Sequence, residues 1–138
     1  MQARKFLLFL FLFTGHYGYT QTSPFPDGVN TFIIQDDSLK MHQVIETLLQ
    51  NGYLFTRIDS TIIVTDFKPI ERYHQMNIIC NKLGGSYYFR ASCRYRDSDM
   101  GDCTDIVRKG FLFKGDFEYV YRLLLKIKPN INISAARM

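Results

Sequence analysis

The sequence predicts an α+β fold, a two-layer sandwich in which two helices pack on one face of an antiparallel sheet of four strands. Thr31 to Ile34 can add a fifth strand at an edge. Two observations carry this expectation. Residues 37–51 and 116–128 place apolar side chains at three-and-four spacing, whereas the segments between them alternate or are rich in β-branched and aromatic residues. Strands joined by short turns form antiparallel hairpins that leave one sheet face to water, so both helical stripes find cover on the other face. The expected element order is α-β-β-β-β-α. With 46% hydrophobic and 15% aromatic residues, the 138-residue chain has enough apolar surface for one packed core. Intrinsic disorder and a multidomain enzyme are both excluded on these grounds.

Taken in order, Arg4-Lys5 followed by Phe6 to Phe13 is a positive segment leading into a short apolar one. Eight residues are too few to cross a bilayer of about 30 Å, so residues 1–20 read as a cleavable export signal with the cut after Thr20. The first cysteine is Cys80, which excludes lipid anchoring through an N-terminal cysteine. Residues 21–35, with Pro24, Pro26 and Asp27-Gly28, read as an extended lead-in. A single domain is expected over 36–128. Asp37 or Ser38 is positioned to cap a helix whose stripe is Met41, Val44, Ile45, Leu48 and Leu49, and Asn51-Gly52 supplies its stop.

Tyr53 to Ile58 and Thr61 to Phe67 form a hairpin about Asp59-Ser60, with Ile58 facing Thr61 and Arg57 facing Ile62 at the rim of an apolar face. Pro69 ends that strand. Gly84-Gly85 centres a second hairpin, because a tight turn needs positive φ. This register sets Cys80 against Phe89, Ile78 against Ala91 and Met76 against Cys93, and all six are apolar. A further strand is expected over about 103–113. If it pairs Cys93 with Cys103, Asp105 points inward beside Ala91 unless a bulge intervenes. Gly115-Asp116 then caps a helix carrying Phe117, Val120, Tyr121, Leu124 and Leu125, which ends before Pro129. Residues 129–138 read as a loose tail.

A helix ending in Asn51-Gly52-Tyr53, a strand pair closing on Ile63-Val64-Thr65, and Arg108-Lys109-Gly110-Phe111 ahead of a helix beginning near Phe117 resemble small bacterial envelope proteins. In element order the pattern is similar to the helix-grip domains of BamC-type assembly lipoproteins. The likeness covers about residues 36–128. It implies a fold and an envelope address and transfers no catalytic residue.

Chemistry is sparsely signalled. The 17 basic residues lose Arg4 and Lys5 with the signal, leaving 15 against 13 acidic residues and a net charge of +2, which argues against a nucleic-acid role. Three cysteines are an odd number for an oxidising compartment, and spacing favours a Cys93–Cys103 disulfide with Cys80 as a buried apolar residue. Zinc would require a fourth ligand and paired cysteines, which the sequence lacks. His42 and Glu46 share a helix face, yet no third ligand follows. Asp97 to Asp102 has its glycine one position early for a calcium loop and Arg108 where the bidentate glutamate belongs, so it reads as a polar hairpin tip. Neither His42 nor His74 has a recognisable nucleophile, and no nucleophile elbow or phosphate loop occurs. No catalytic residue, metal site or cofactor is assigned.

The one suggestive surface is the polar face of the strand carrying Tyr88, Arg90, Arg94 and Arg96, where tyrosine and arginine alternate as they do in anion-binding sheets. Asp99, Asp102 and Asp105 are close enough in sequence to satisfy those arginines internally. The expected function is that of a non-enzymatic envelope module, periplasmic or secreted, binding a partner protein or an anionic envelope component. The alternative is a small exported hydrolase or thiol-redox protein whose site cannot be read from the sequence.

Overall fold

The computed structural model describes residues 24–70, 74–95, 104–106 and 114–138. The element order is β1 (Thr31–Gln35), α1 (Met41–Gln50), β2 (Phe55–Ile58), β3 (Ile62–Thr65), β4 (Lys68–Pro69), β5 (His74–Leu83), β6 (Ser86–Tyr95), β7 (Thr104–Asp105), α2 (Lys114–Leu124) and β8 (Ile133–Ala136). The fold is α+β, with every strand pairing antiparallel. Eight strands lie in one sheet among the described residues, in the order β2-β3-β5-β6-β1-β8, with β4 beside β5 and β7 beside β6. The expected order offered β1 only as an added edge strand and lacked β4 and β8.

The central hairpin matches its predicted register. Cys80 faces Phe89, Ile78 faces Ala91 and Met76 faces Cys93 across β5 and β6, and all six are buried. Leu83 pairs with Ser86 around Gly84, whose φ of 60° is a conformation glycine reaches at no steric cost. Rows continue outward on the same face, through Ile63 beside Cys80 and Phe32 beside Phe89. Val44 and Leu48 of α1 and Phe117, Val120, Leu123 and Leu124 of α2 join these residues in one core. The Phe32 and Phe117 rings lie 4.3 Å apart and fasten α2 to β1.

Five sequence expectations require correction. The first helix starts at Met41, with Lys40 as its N-cap and Gln43 Oε1 accepting the Lys40 amide at 2.9 Å. Asp36, not Asp37 or Ser38, organises the turn ahead of it, accepting from the Ser38 amide at 2.9 Å and its hydroxyl at 2.6 Å. The predicted stop does hold. Gly52 at φ 80° donates to Leu49 O at 2.9 Å and Tyr53 donates to Leu48 O at 3.0 Å, the paired bonds of a Schellman motif.

The first hairpin turns on Ser60-Thr61, one residue later than expected, so Ile58 faces Ile63 and Arg57 faces Val64. Asp59 fixes this turn, because its Oδ1 accepts the Thr61 and Ile62 amides at 2.9 and 2.8 Å. A bulge between Phe55 and Arg57 shifts the pairing again, so that Phe55 faces Thr65. β1 is not an edge strand, since it lies between β6 and β8. The segment 129–138 is not loose, for Ile133–Ala136 pairs with β1 and Ile131, Ile133 and Ala135 pack on the core. In place of Cys103, Thr104 faces Cys93, and Asp105 pairs with Ser92 rather than lying beside Ala91. The export signal, the hairpin tip at 97–102 and most of 103–113 lie outside the described residues.

Candidate functional site

The open face of the sheet carries the site. Alternation that sends Cys80, Phe89 and Ile63 into the core sends their neighbours outward, and the register lines these up in rows. One row runs Arg57, Val64, Ile79, Arg90, and the next runs Ile62, Asn81, Tyr88, Ile33. Arg57 and Arg90 are three strands apart, about 14 Å between backbones, a span that two arginine side chains can largely close over the aliphatic pair between them. Together with Tyr88, Asn81 and Thr31 they line a groove of about 330 Å3. No aspartate or glutamate side chain lines it among the described residues.

Two devices shape its borders. Arg57 donates from Nε and Nη2 to Asp59 Oδ2 at 3.0 and 2.7 Å, a pair exposed enough for water to compete with it. The Thr61 amide, with Arg57 next in effect, holds the Asp59 carboxyl down at about 2, so it remains an anion at any ordinary pH. At the other end Met138 is clamped by Asn30, whose Nδ2 donates to Met138 O and whose Oδ1 accepts the Met138 amide, both at 2.9 Å. Met138 thereby becomes part of the groove wall.

The predicted arginine stripe divides. Tyr88 and Arg90 line the groove, whereas Arg94 stacks over the Phe67 ring at 4.0 Å and donates from Nε to Gln75 Oε1 at 2.9 Å. Arg96 lies outside the described residues. Asn81 was not singled out by sequence, because only cross-strand register brings it beside Arg57 and Arg90, whereas Lys82 pairs with Tyr87 and holds its Nζ 5.3 Å from that ring's centroid. His42 and Glu46 are both exposed on the outer face of α1.

A second cluster lies in the core layer. His74 continues the inward alternation of Met76 and Ile78, Cys93 faces Met76, and Asp116 is buried in the first turn of α2. One ligand atom from each of His74, Cys93 and Asp116 lies within 4.8 Å of the other two. No disulfide occurs among the described residues. Thr104 is the residue that faces Cys93 in the register, and Cys103, the expected disulfide partner, lies outside those residues. Cys80 is inert by comparison, since burial pushes its thiol up to about 12.

No family model, curated protein or solved structure matches the chain. No helix among the described residues is long and apolar enough to cross a membrane.

Proposed function

We propose that the chain is a non-enzymatic exported binding module of the bacterial envelope, periplasmic or secreted, whose open sheet face takes a small anionic group. The observation that supports it is the convergence of Arg57 and Arg90 with Tyr88 and Asn81 on one groove of about 330 Å3. That volume is at the small end for ligand sites, about 300–1,000 Å3, and suits a sugar acid or a phosphate-bearing headgroup better than a polymer strand. Guanidinium forks match carboxylate and phosphate oxygens, Tyr88 offers a flat surface for a sugar or glycerol unit, and Asn81 can bond its hydroxyls. The address follows from the Arg4 to Phe13 pattern and from the resemblance to envelope modules.

Calorimetric titration of the processed chain with glycerol phosphate, a uronic acid and neutral glucose tests this reading. Both anions should bind and glucose should not. Arg90→Ser and Arg57→Ser should each weaken anion binding about tenfold or more, the worth of a charge-assisted hydrogen bond. Arg94→Ser should leave affinity unchanged, because that side chain is engaged by Phe67 and Gln75. Equal binding of glucose and the anions, or indifference to both groove arginines, would refute it.

A further inference from the structure

We propose that His74, Cys93 and Asp116 form a binding site for a single transition-metal dication, with zinc as the best fit. The three residues come from the start of β5, the outer half of β6 and the first turn of α2, so the fold gathers them rather than the local chain. Their ligand atoms form a closed triangle with no side above 4.8 Å. Tetrahedral zinc, at about 2.0–2.1 Å from nitrogen or oxygen and 2.3 Å from sulfur, needs its ligands roughly 3.3–3.6 Å apart. Side-chain adjustments of about an ångström therefore close the site around an ion.

The shape also separates this reading from a cysteine nucleophile served by histidine and aspartate. In such a relay the thiol and the carboxylate sit on opposite nitrogens of one imidazole, and two hydrogen bonds of about 3 Å plus the ring width hold them roughly 7 Å or more apart. Here the Cys93 and Asp116 ligand atoms lie within 4.8 Å of each other, well inside that separation. Charge points the same way. Cys93 and Asp116 are 8% and 7% exposed, and a thiolate, a carboxylate and a neutral imidazole around a dication sum to zero, which a buried site requires. Thiolate and imidazole donors favour zinc over magnesium or calcium, which prefer all-oxygen shells. Three protein donors among the described residues leave one coordination position for water or an added ligand.

The test uses the processed chain, reduced and stripped with a chelator, then titrated with Co2+ and Zn2+. One equivalent of Co2+ should bind with a thiolate-to-cobalt charge-transfer band, and zinc should displace it. The band should vanish in Cys93→Ser, and zinc affinity should fall about a hundredfold or more in His74→Gln and Asp116→Asn. Zinc should also shield Cys93 from alkylation in peptide mapping of the parent, a readout that stands even where a variant fails to fold. Absence of the band in the parent, its persistence in Cys93→Ser, zinc-independent alkylation of Cys93, or recovery of Cys93 in a disulfide with Cys103 from zinc-supplemented protein would each overturn the proposal.

Discussion

Thr65 tests how the sheet survives a break in its own ladder. Pairing between β3 and β5 runs only as far as Val64 opposite Ile79, and β4 resumes it at Lys68 opposite Met76. The Ile78 amide lies in that gap, buried, and the Thr65 hydroxyl accepts it at 2.8 Å. Thr65 is 2% exposed, so water cannot substitute. Thr65→Val preserves shape and removes the acceptor, leaving a buried amide unpaired at a cost of about 1–3 kcal/mol. Thr65→Ser keeps the acceptor and loses one methyl, about 0.8 kcal/mol. Valine should thus lower Tm by about 4 °C or more for each kcal/mol lost, with serine the milder change. Urea denaturation gives the two stabilities, and amide hydrogen exchange of Ile78 should accelerate in the valine variant alone. A valine variant as stable as the serine one, with Ile78 protection unchanged, would refute the account.

Two further outcomes follow from the geometry. Lys128 and then Ser38 hold the Asp36 carboxyl down at about 2, and the Thr61 amide with Arg57 does the same for Asp59, so both carboxyls bind protons less readily folded than unfolded. Their contribution is complete above the unfolded value near 3.8 and fades as pH falls towards 2; Asp36→Asn should flatten that limb of a stability–pH curve measured by thermal melting. Ile133→Ala should destabilise by about 1–2 kcal/mol, because Ile133 packs on the core from a paired strand; no change in the urea midpoint would restore the reading of 129–138 as loose.

The central hairpin was legible because two independent signals agreed, glycines at the turn and apolar residues at the inward pairs Met76–Cys93, Ile78–Ala91 and Cys80–Phe89. Where only one signal existed, the reading slipped. At Asp59-Ser60-Thr61 the pattern tolerated either of two turns, and the choice belonged to the Asp59 side chain, whose bonds to the Thr61 and Ile62 amides no periodicity reports. β8 was missed for a related reason. Ile131-Asn132-Ile133-Ser134 does alternate, but it follows Pro129 and is too short to stand out, and its stability comes from β1, a hundred residues earlier by sequence. A strand recruited by a distant edge carries little local signature.

The two candidate sites were legible to different depths for the same physical reason. Tyr88 and Arg90 stand two apart on one strand, so sequence alone places them on one face, whereas Arg57 joins them only through Val64 and Ile79, which requires the register of three strands. His74, Cys93 and Asp116 lie one step further away, since their meeting needs both the strand register and the packing of α2 over the sheet. Local motifs are what short spacings can encode, and a site assembled across two layers has none. The same placement makes the redox state of Cys93 decisive. A thiolate committed to a metal cannot also be half of a disulfide, so the Cys93–Cys103 bridge expected from spacing and the site with His74 and Asp116 are mutually exclusive states of one sulfur. The choice between them lies with whatever sulfur or ion reaches Cys93 first, and thiol mapping with and without zinc reads it directly.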